Sequence, residues 1–204
     1  MTDPQFNAAY EEQNKRDYIA NATFGSIVSV PLQLSCSVMD YFMYPDSLAQ
    51  FLPIRIAAAL LTVGVLFWFK KSPDTCPPVV FGTTWFFGPL LMVLWMIYVL
   101  PDPVSPYYAG LNIILLAMGL ISPWTYRQNM AITLFTLAVY IAVAFFRTTP
   151  QPVNYVLNNF TFLFLTAAFV ILGSRGQARQ RLQEFTLRWE LDKNRKTVEE
   201  NNQK

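Results

Sequence analysis

Apolar residues fall along this chain in six stretches, roughly 23–44, 50–69, 79–100, 106–122, 126–146 and 154–173. A helix needs about 20 predominantly apolar residues to cross a hydrocarbon core of about 30 Å. Each stretch qualifies or nearly does; the fourth is short and sits obliquely or is extended by its flanks. The separators carry turn and breaker residues: "YPDS" at 44–47, "KKSPDTCPP" at 70–78, "PDPVSP" at 101–106, "SPW" at 122–124 and "RTTPQP" at 147–152. Connections this short predict sequential antiparallel hairpins with no soluble domain between them. The expected fold is an all-α integral membrane protein, a six-transmembrane-helix bundle.

The pattern changes at both ends. Residues 1–22 are polar and read as a cytoplasmic N-terminal segment, followed by the transmembrane domain over 23–173. Residues 174–204 are rich in Arg, Glu, Leu, Lys and Gln, which favour helix. Ala178, Leu182, Phe185 and Trp189 recur at coiled-coil spacing. Leu187, Leu191, Asn194, Val198 and Asn201 make a second stripe out of phase with the first. The pattern predicts a long cytoplasmic signalling helix whose homodimer seam shifts partway along. An ordinary solvated amphipathic helix is the alternative. The segment ends the chain with nothing else to pack on, and reads as a connector to an output domain that these 204 residues lack.

Composition agrees with the pattern. The chain is 53% hydrophobic with a mean hydropathy of +0.30, and only 14% charged, where soluble domains carry about 25%. Between Gln50 and Leu172 the only charges are Arg55, Lys70, Lys71, Asp74, Asp102, Arg127 and Arg147. No apolar core of a cleavable signal peptide precedes the first span. With the N-terminus inside, the inner segments hold Lys15, Arg16, Lys70, Lys71, Arg127 and the basic tail. That bias puts both termini in the cytoplasm of a bacterial inner membrane, with Arg175, Arg179 and Arg181 at its anionic lipids.

The chain has no histidine. That removes His metal ligands, a His general base and a phospho-accepting His. No nucleophile–base set or Gly-rich phosphate loop replaces them, so no enzyme, metal site or cofactor is expected within these residues, and nothing points to nucleic acid. Cys36 and Cys76, one in a span and one in a loop, are not expected to form a disulfide.

Candidate chemistry lies inside the spans. Asp40, near the outer end of span one, and Arg55, near the outer start of span two, can face each other about one turn below the surface. Ionisable groups at membrane depth are paired or face a cavity. The pair reads either as a structural clasp or as the rim of an outward pocket. Gln33, Ser35, Asn112, Asn158 and Asn159 are in-span polar groups whose default role is interhelical hydrogen bonding; Asn112 and Asn158 are the ones placed to line a cavity. Trp68 and Trp124 suit an interfacial belt. Trp85, Trp95 and Tyr98 of span three can face the bundle. Pro31 lets span one bend.

Several local patterns carry a family resemblance. Asp40-Tyr41 stands ahead of Tyr44-Pro45, Arg55 precedes an alanine run in "IRIAAALL", and "SPYYAGLN" leads without gaps to Arg127 and "MAITLFTLAVYIAVAF". From about residue 24 to 180 the chain resembles the six-span sensor domain of CqsS-type quorum-sensing receptors. The resemblance implies a small lipophilic ligand, a hydroxyketone-like autoinducer or a lipid, with selectivity set on spans four and six. The corresponding positions here are Tyr108 and Phe164, with Leu111 and Leu172 departing from the family's residues. It implies a histidine kinase as the output domain; a class III nucleotide cyclase is the alternative. The pocket candidates are thus Tyr108, Asn112, Phe164, Asn158 and Trp95, and the signal would pass through Leu182, Phe185, Trp189, Leu191 and Val198. Two other readings compete. A small transporter is disfavoured by the lack of similarity between residues 23–100 and 106–173. A ligand-independent anchor and dimerisation module would have a bundle packed solid.

Overall fold

A computed structural model describes residues 4–100, 102, 105–121, 124, 126–147 and 149–202. Regular structure among them is helical throughout. Helix α1 covers Pro4–Met43, and a 3-10 turn at Pro45–Ser47 leads to α2, Leu48–Lys71. Then come α3 (Pro78–Val99), α4 (Tyr108–Ile121), α5 (Tyr126–Phe146) and α6 (Val153–Asn202).

Local chemistry sets several of these boundaries. Pro78 opens α3 where a missing N–H costs nothing. Lys70 and Lys71 end α2, where the helix dipole favours positive charge. α1 continues through Pro31 and α3 through Pro89. Neither long helix stops at the limits that hydropathy suggests. α1 runs back through the polar segment 4–22, and α6 passes from apolar to charged sequence at residue 174 without a break.

Among the described residues, five helices are long and apolar enough to cross a membrane: α1, α2 with its preceding turn, α3, α5 and α6. α4 is an apolar helix of 14 residues, about 21 Å long at 1.5 Å per residue. It falls short of a full core by itself.

α3 is the centre of the bundle. Of its most apolar window 61% is buried, against 22% to 33% for the other candidate spans. α1, α2, α4 and α5 pack around it, and α6 packs on α4 and α5. The main core joins Trp85, Phe86, Leu90 and Met96 of α3 to Leu111, Leu115 and Met118 of α4, Tyr140 of α5 and Leu163 of α6. A smaller cluster of Ala22, Cys76 and Phe81 closes the α2–α3 connection, with Phe69 stacked on Phe81 at 4.1 Å. The outer surface is apolar as well: Phe145 and Phe146 are each 79% exposed. Such a surface suits lipid, not water.

Both terminal segments lie at one end of the bundle. Phe6 and Tyr10 of α1 meet Phe185 of α6 at 5.2 Å each, and Phe6 stands edge-on to Trp189 at 5.8 Å. This corrects the expectation that the C-terminal helix has nothing to pack on. Phe185 and Trp189 of its first stripe are covered by the N-terminal helix of the same chain, whose aromatic residues at i and i+4 share one face.

Candidate ligand cleft and ion-pair clasp

The end of the bundle away from the termini is closed by buried polar chemistry. Asp40 lies in the last turn of α1 and Arg55 in the second turn of α2, and the 3-10 turn between them brings the two helices side by side. Arg55 Nε donates to Asp40 Oδ2 at 2.6 Å, and Nη2 donates to Oδ1 at 3.0 Å. The guanidinium fork thus meets the carboxylate in bidentate fashion, the geometry in which Arg differs most from Lys. Tyr107, just before α4, donates its hydroxyl to Asp40 Oδ1 at 2.5 Å. Asp40 is 0% and Arg55 3% exposed. The clasp therefore ties α1, α2 and the start of α4 together away from solvent.

Aromatic rings frame it. Tyr44 stacks on Tyr107 at 5.6 Å, and Phe51 stands edge-on to Tyr107 and to Trp95. A second lock, not anticipated from sequence, adjoins the first. Arg147 Nη2 donates to the backbone carbonyls of Leu100 and Asp102, and the Tyr44 hydroxyl donates to the Asp102 carboxylate at 3.3 Å. Burial pushes the Arg147 guanidinium below its ordinary pKa, while the Asp102 charge opposes that. The sequence signal was its position as the one cation in the connection after span five, beside a helix end that needed donors.

Below the clasp, a cleft of about 120 Å³ opens between α1, α3 and α4. α1 supplies Gly25, Ser29, Gln33 and Cys36; α3 supplies Trp85, Pro89 and Val93; α4 supplies Gly110, Ile113 and Ala117; Arg55 stands at its head. Small residues let the walls approach. A Cβ on Gly25 would sit 2.8 Å from the Trp85 ring, so the indole lies directly against the α1 backbone. Val28, Leu32 and Ile113 on the lips are 39%, 49% and 55% exposed, so the mouth faces sideways from the bundle. The lining is almost wholly apolar. Of its polar residues, Ser29 and Arg55 are hydrogen-bonded, whereas Gln33 is 4% exposed and neither Oε1 nor Nε2 has a hydrogen-bond partner among the described residues. Leaving a buried polar group unsatisfied costs about 1–3 kcal/mol.

The residues expected to line a pocket lie elsewhere. Trp95 is half-buried against Phe51 beside the clasp. Tyr108 edges an open depression of about 340 Å³ with Tyr44 and Tyr155 at the clasp end. Asn112 is half-buried, with Nδ2 at 3.5 Å from the Tyr108 carbonyl. Asn158 is exposed, its Nδ2 3.5 Å from Asn159 Oδ1. Phe164 is 55% exposed and stacks on Phe160 at 6.3 Å. Between the fourth and sixth helices, Tyr108 and Tyr155 share the depression at the clasp end. These two helices pack tightly, with Gly119 receiving Val170 so closely that a Cβ there would meet it at 2.9 Å. On α4, Leu111, Leu115 and Met118 join the core, while Gly110, Ile113, Ile114 and Ala117 line the cleft.

In the tail, Phe185 and Trp189 are half-buried beneath Phe6 and Tyr10, whereas Leu182, Leu191 and Val198 are 44%, 68% and 57% exposed. Both cysteines are free thiols, Cys36 on the cleft and Cys76 in the small cluster. No group of three potential His, Cys, Asp or Glu metal ligands occurs among the described residues.

Long lipid-facing helices around a laterally open apolar cleft define a multi-pass helical membrane protein. The family model MASE8 matches residues 38–192. The chain belongs to this family of membrane-associated sensory domains. The match includes the clasp and most of α6, and begins within α1 just beyond the α1 wall of the cleft. Comparison with curated proteins and with solved structures gives no match.

Proposed function

We propose that the chain is the ligand-sensing module of a membrane receptor. A small lipophilic molecule enters from the bilayer into the cleft between α1, α3 and α4, and its binding alters how the C-terminal helix is held. One observation carries this reading. The same helix, α1, walls the cleft through Gly25–Cys36 and grips the tail of α6 through Phe6 and Tyr10. A shift of α1 at the cleft therefore acts on Phe185 and Trp189. The ligand must bind two arrangements of α1 unequally for any signal to pass.

The same reading assigns six crossings. The contact between the terminal segments supports an even number, with α4 and its flanks as the sixth despite its length. The Lys and Arg bias puts the termini in the cytoplasm of a bacterial inner membrane. The tails pair in a homodimer through Leu187, Leu191, Asn194, Val198 and Asn201, the stripe that α1 leaves uncovered. They act on an output domain, a histidine kinase by resemblance or a class III cyclase. The hydroxyketone-like autoinducer class belongs to this proposal only as one kind of small lipophilic ligand.

Fusing residues 1–204 in helical register to a dimeric cyclase reporter tests the reading. A dose-dependent change with lipid extracts is expected, and Ala117→Phe, which fills the cleft, should abolish it. A reporter indifferent to every extract would favour a passive anchor. A response that survives Ala117→Phe in a correctly inserted protein would put the ligand elsewhere.

A further inference from the structure

The cleft holds one side chain that the fold leaves unsatisfied, and its chemistry describes the missing partner. Gln33 offers an acceptor and a donor on the same carbon, both buried, both without a partner among the described residues. The other oxygen and nitrogen groups at the cleft are engaged. Ser29 Oγ donates to the Ser26 carbonyl at 3.3 Å. Arg55 gives Nε and Nη2 to Asp40, and its Nη1 lies 3.4 Å from the Gln33 backbone carbonyl. The charges at the head of the cleft therefore cancel, and no free charge remains to attract an ion. The mouth opens onto lipid-facing side chains, so water has no direct route to the amide.

Resting on the reading of this cleft as the ligand site, we propose that its ligand is an uncharged single-chain amphiphile whose head carries a donor and an acceptor on the same carbon. A carboxamide is the simplest such head. It pairs with the Gln33 amide through two reciprocal hydrogen bonds. Its chain runs along α1 past Ser29 to Gly25, over the face of Trp85. From Gln33 to Gly25 is about 12 Å at 1.5 Å per residue, which suits a short to medium alkyl chain. Apolar walls supply most of the affinity, and the single polar contact fixes orientation, as is usual in small-molecule sites.

Bromine on the chain terminus quenches tryptophan on contact and makes Trp85 a reporter. The protein in phosphatidylcholine nanodiscs would be titrated with 8-bromooctanamide, 1-bromooctane and 8-bromooctanoate. Trp85→Phe identifies the fraction of quenching that belongs to the cleft. The amide is expected to half-saturate the Trp85 signal at a membrane mole fraction about tenfold below that of the alkane, the ratio corresponding to one satisfied amide pair. Gln33→Leu, apolar and of similar size, should remove that advantage while leaving quenching by the alkane. Equal half-saturation by amide and alkane overturns the head-group assignment but leaves the cleft standing, and so does a stronger response to the carboxylate. An advantage that persists in Gln33→Leu removes Gln33 from the proposal. No Trp85 quenching by any probe overturns the reading of the cleft itself.

Discussion

Replacing Arg55 with methionine should lower the stability of the membrane-embedded protein by about 3–5 kcal/mol, the usual consequence of leaving one partner of a buried ion pair alone. Asp40 would then sit 0% exposed with only the Tyr107 hydroxyl as a partner. Asp40→Leu should cost a similar amount, because the guanidinium would be stranded instead. The double variant Asp40→Leu/Arg55→Met should recover most of the loss, since paired apolar groups need no solvation. Unfolding in mixed micelles at increasing SDS fraction measures all three. If either single variant cost less than about 1 kcal/mol, the value of an ordinary exposed pair, the clasp would not be holding α1 to α2.

A second large effect is expected at Gly25. A leucine there places its Cβ 2.8 Å from an indole that is only 4% exposed and packs against Phe86. The ring cannot swing away cheaply, so α1 must move off α3. Overpacking of this kind typically costs about 1–3 kcal/mol. Improved helix propensity returns about 1 kcal/mol at most. Trp85→Ala in the same protein should relieve the clash, and a double-mutant cycle should give a favourable coupling between Gly25→Leu and Trp85→Ala. Additive effects would show that the two helices do not approach at this point. Gly25→Leu also occupies the inner end of the cleft, so it should weaken any ligand response more than it weakens folding.

Much of this architecture is readable in the hydropathy pattern, because a helix crossing lipid must be apolar along its length. The stretches around α2, α3 and α5 are close to the helices that form, and the brevity of the fourth stretch reappears as the 14 residues of α4. The pairing of Asp40 with Arg55 is legible for a related reason. Two opposite charges flanking a tight connection in apolar sequence have few other partners.

Hydropathy carries no information on what a polar helix does. The first 22 residues look like a free segment, although Phe6 and Tyr10 among strong helix formers signal one sticky face. Their partner lies almost the whole chain away, so no local rule reveals it. The cleft is missed for another reason. Periodicity tells which residues share a face but not which helix that face meets, and resemblance directed attention to the fourth and sixth helices. The useful signals were Gly25, Ser29 and Gln33 at intervals of four on α1, small residues beside one polar group. Their counterparts Gly110 and Ala117 mark the facing side of α4.

In the proposed mechanism α1 links the cleft to the tail. Spin labels at two exposed positions beside the ring contacts, Asn7→Cys and Gln183→Cys, report it directly by electron–electron distance measurement in nanodiscs, once both native cysteines are replaced by alanine. Adding the lipid extract that drives the reporter should shift the distance distribution, and Ala117→Phe should hold it at the ligand-free position. An unchanged distribution under an extract that still switches the reporter would mean that the signal reaches the tail without α1.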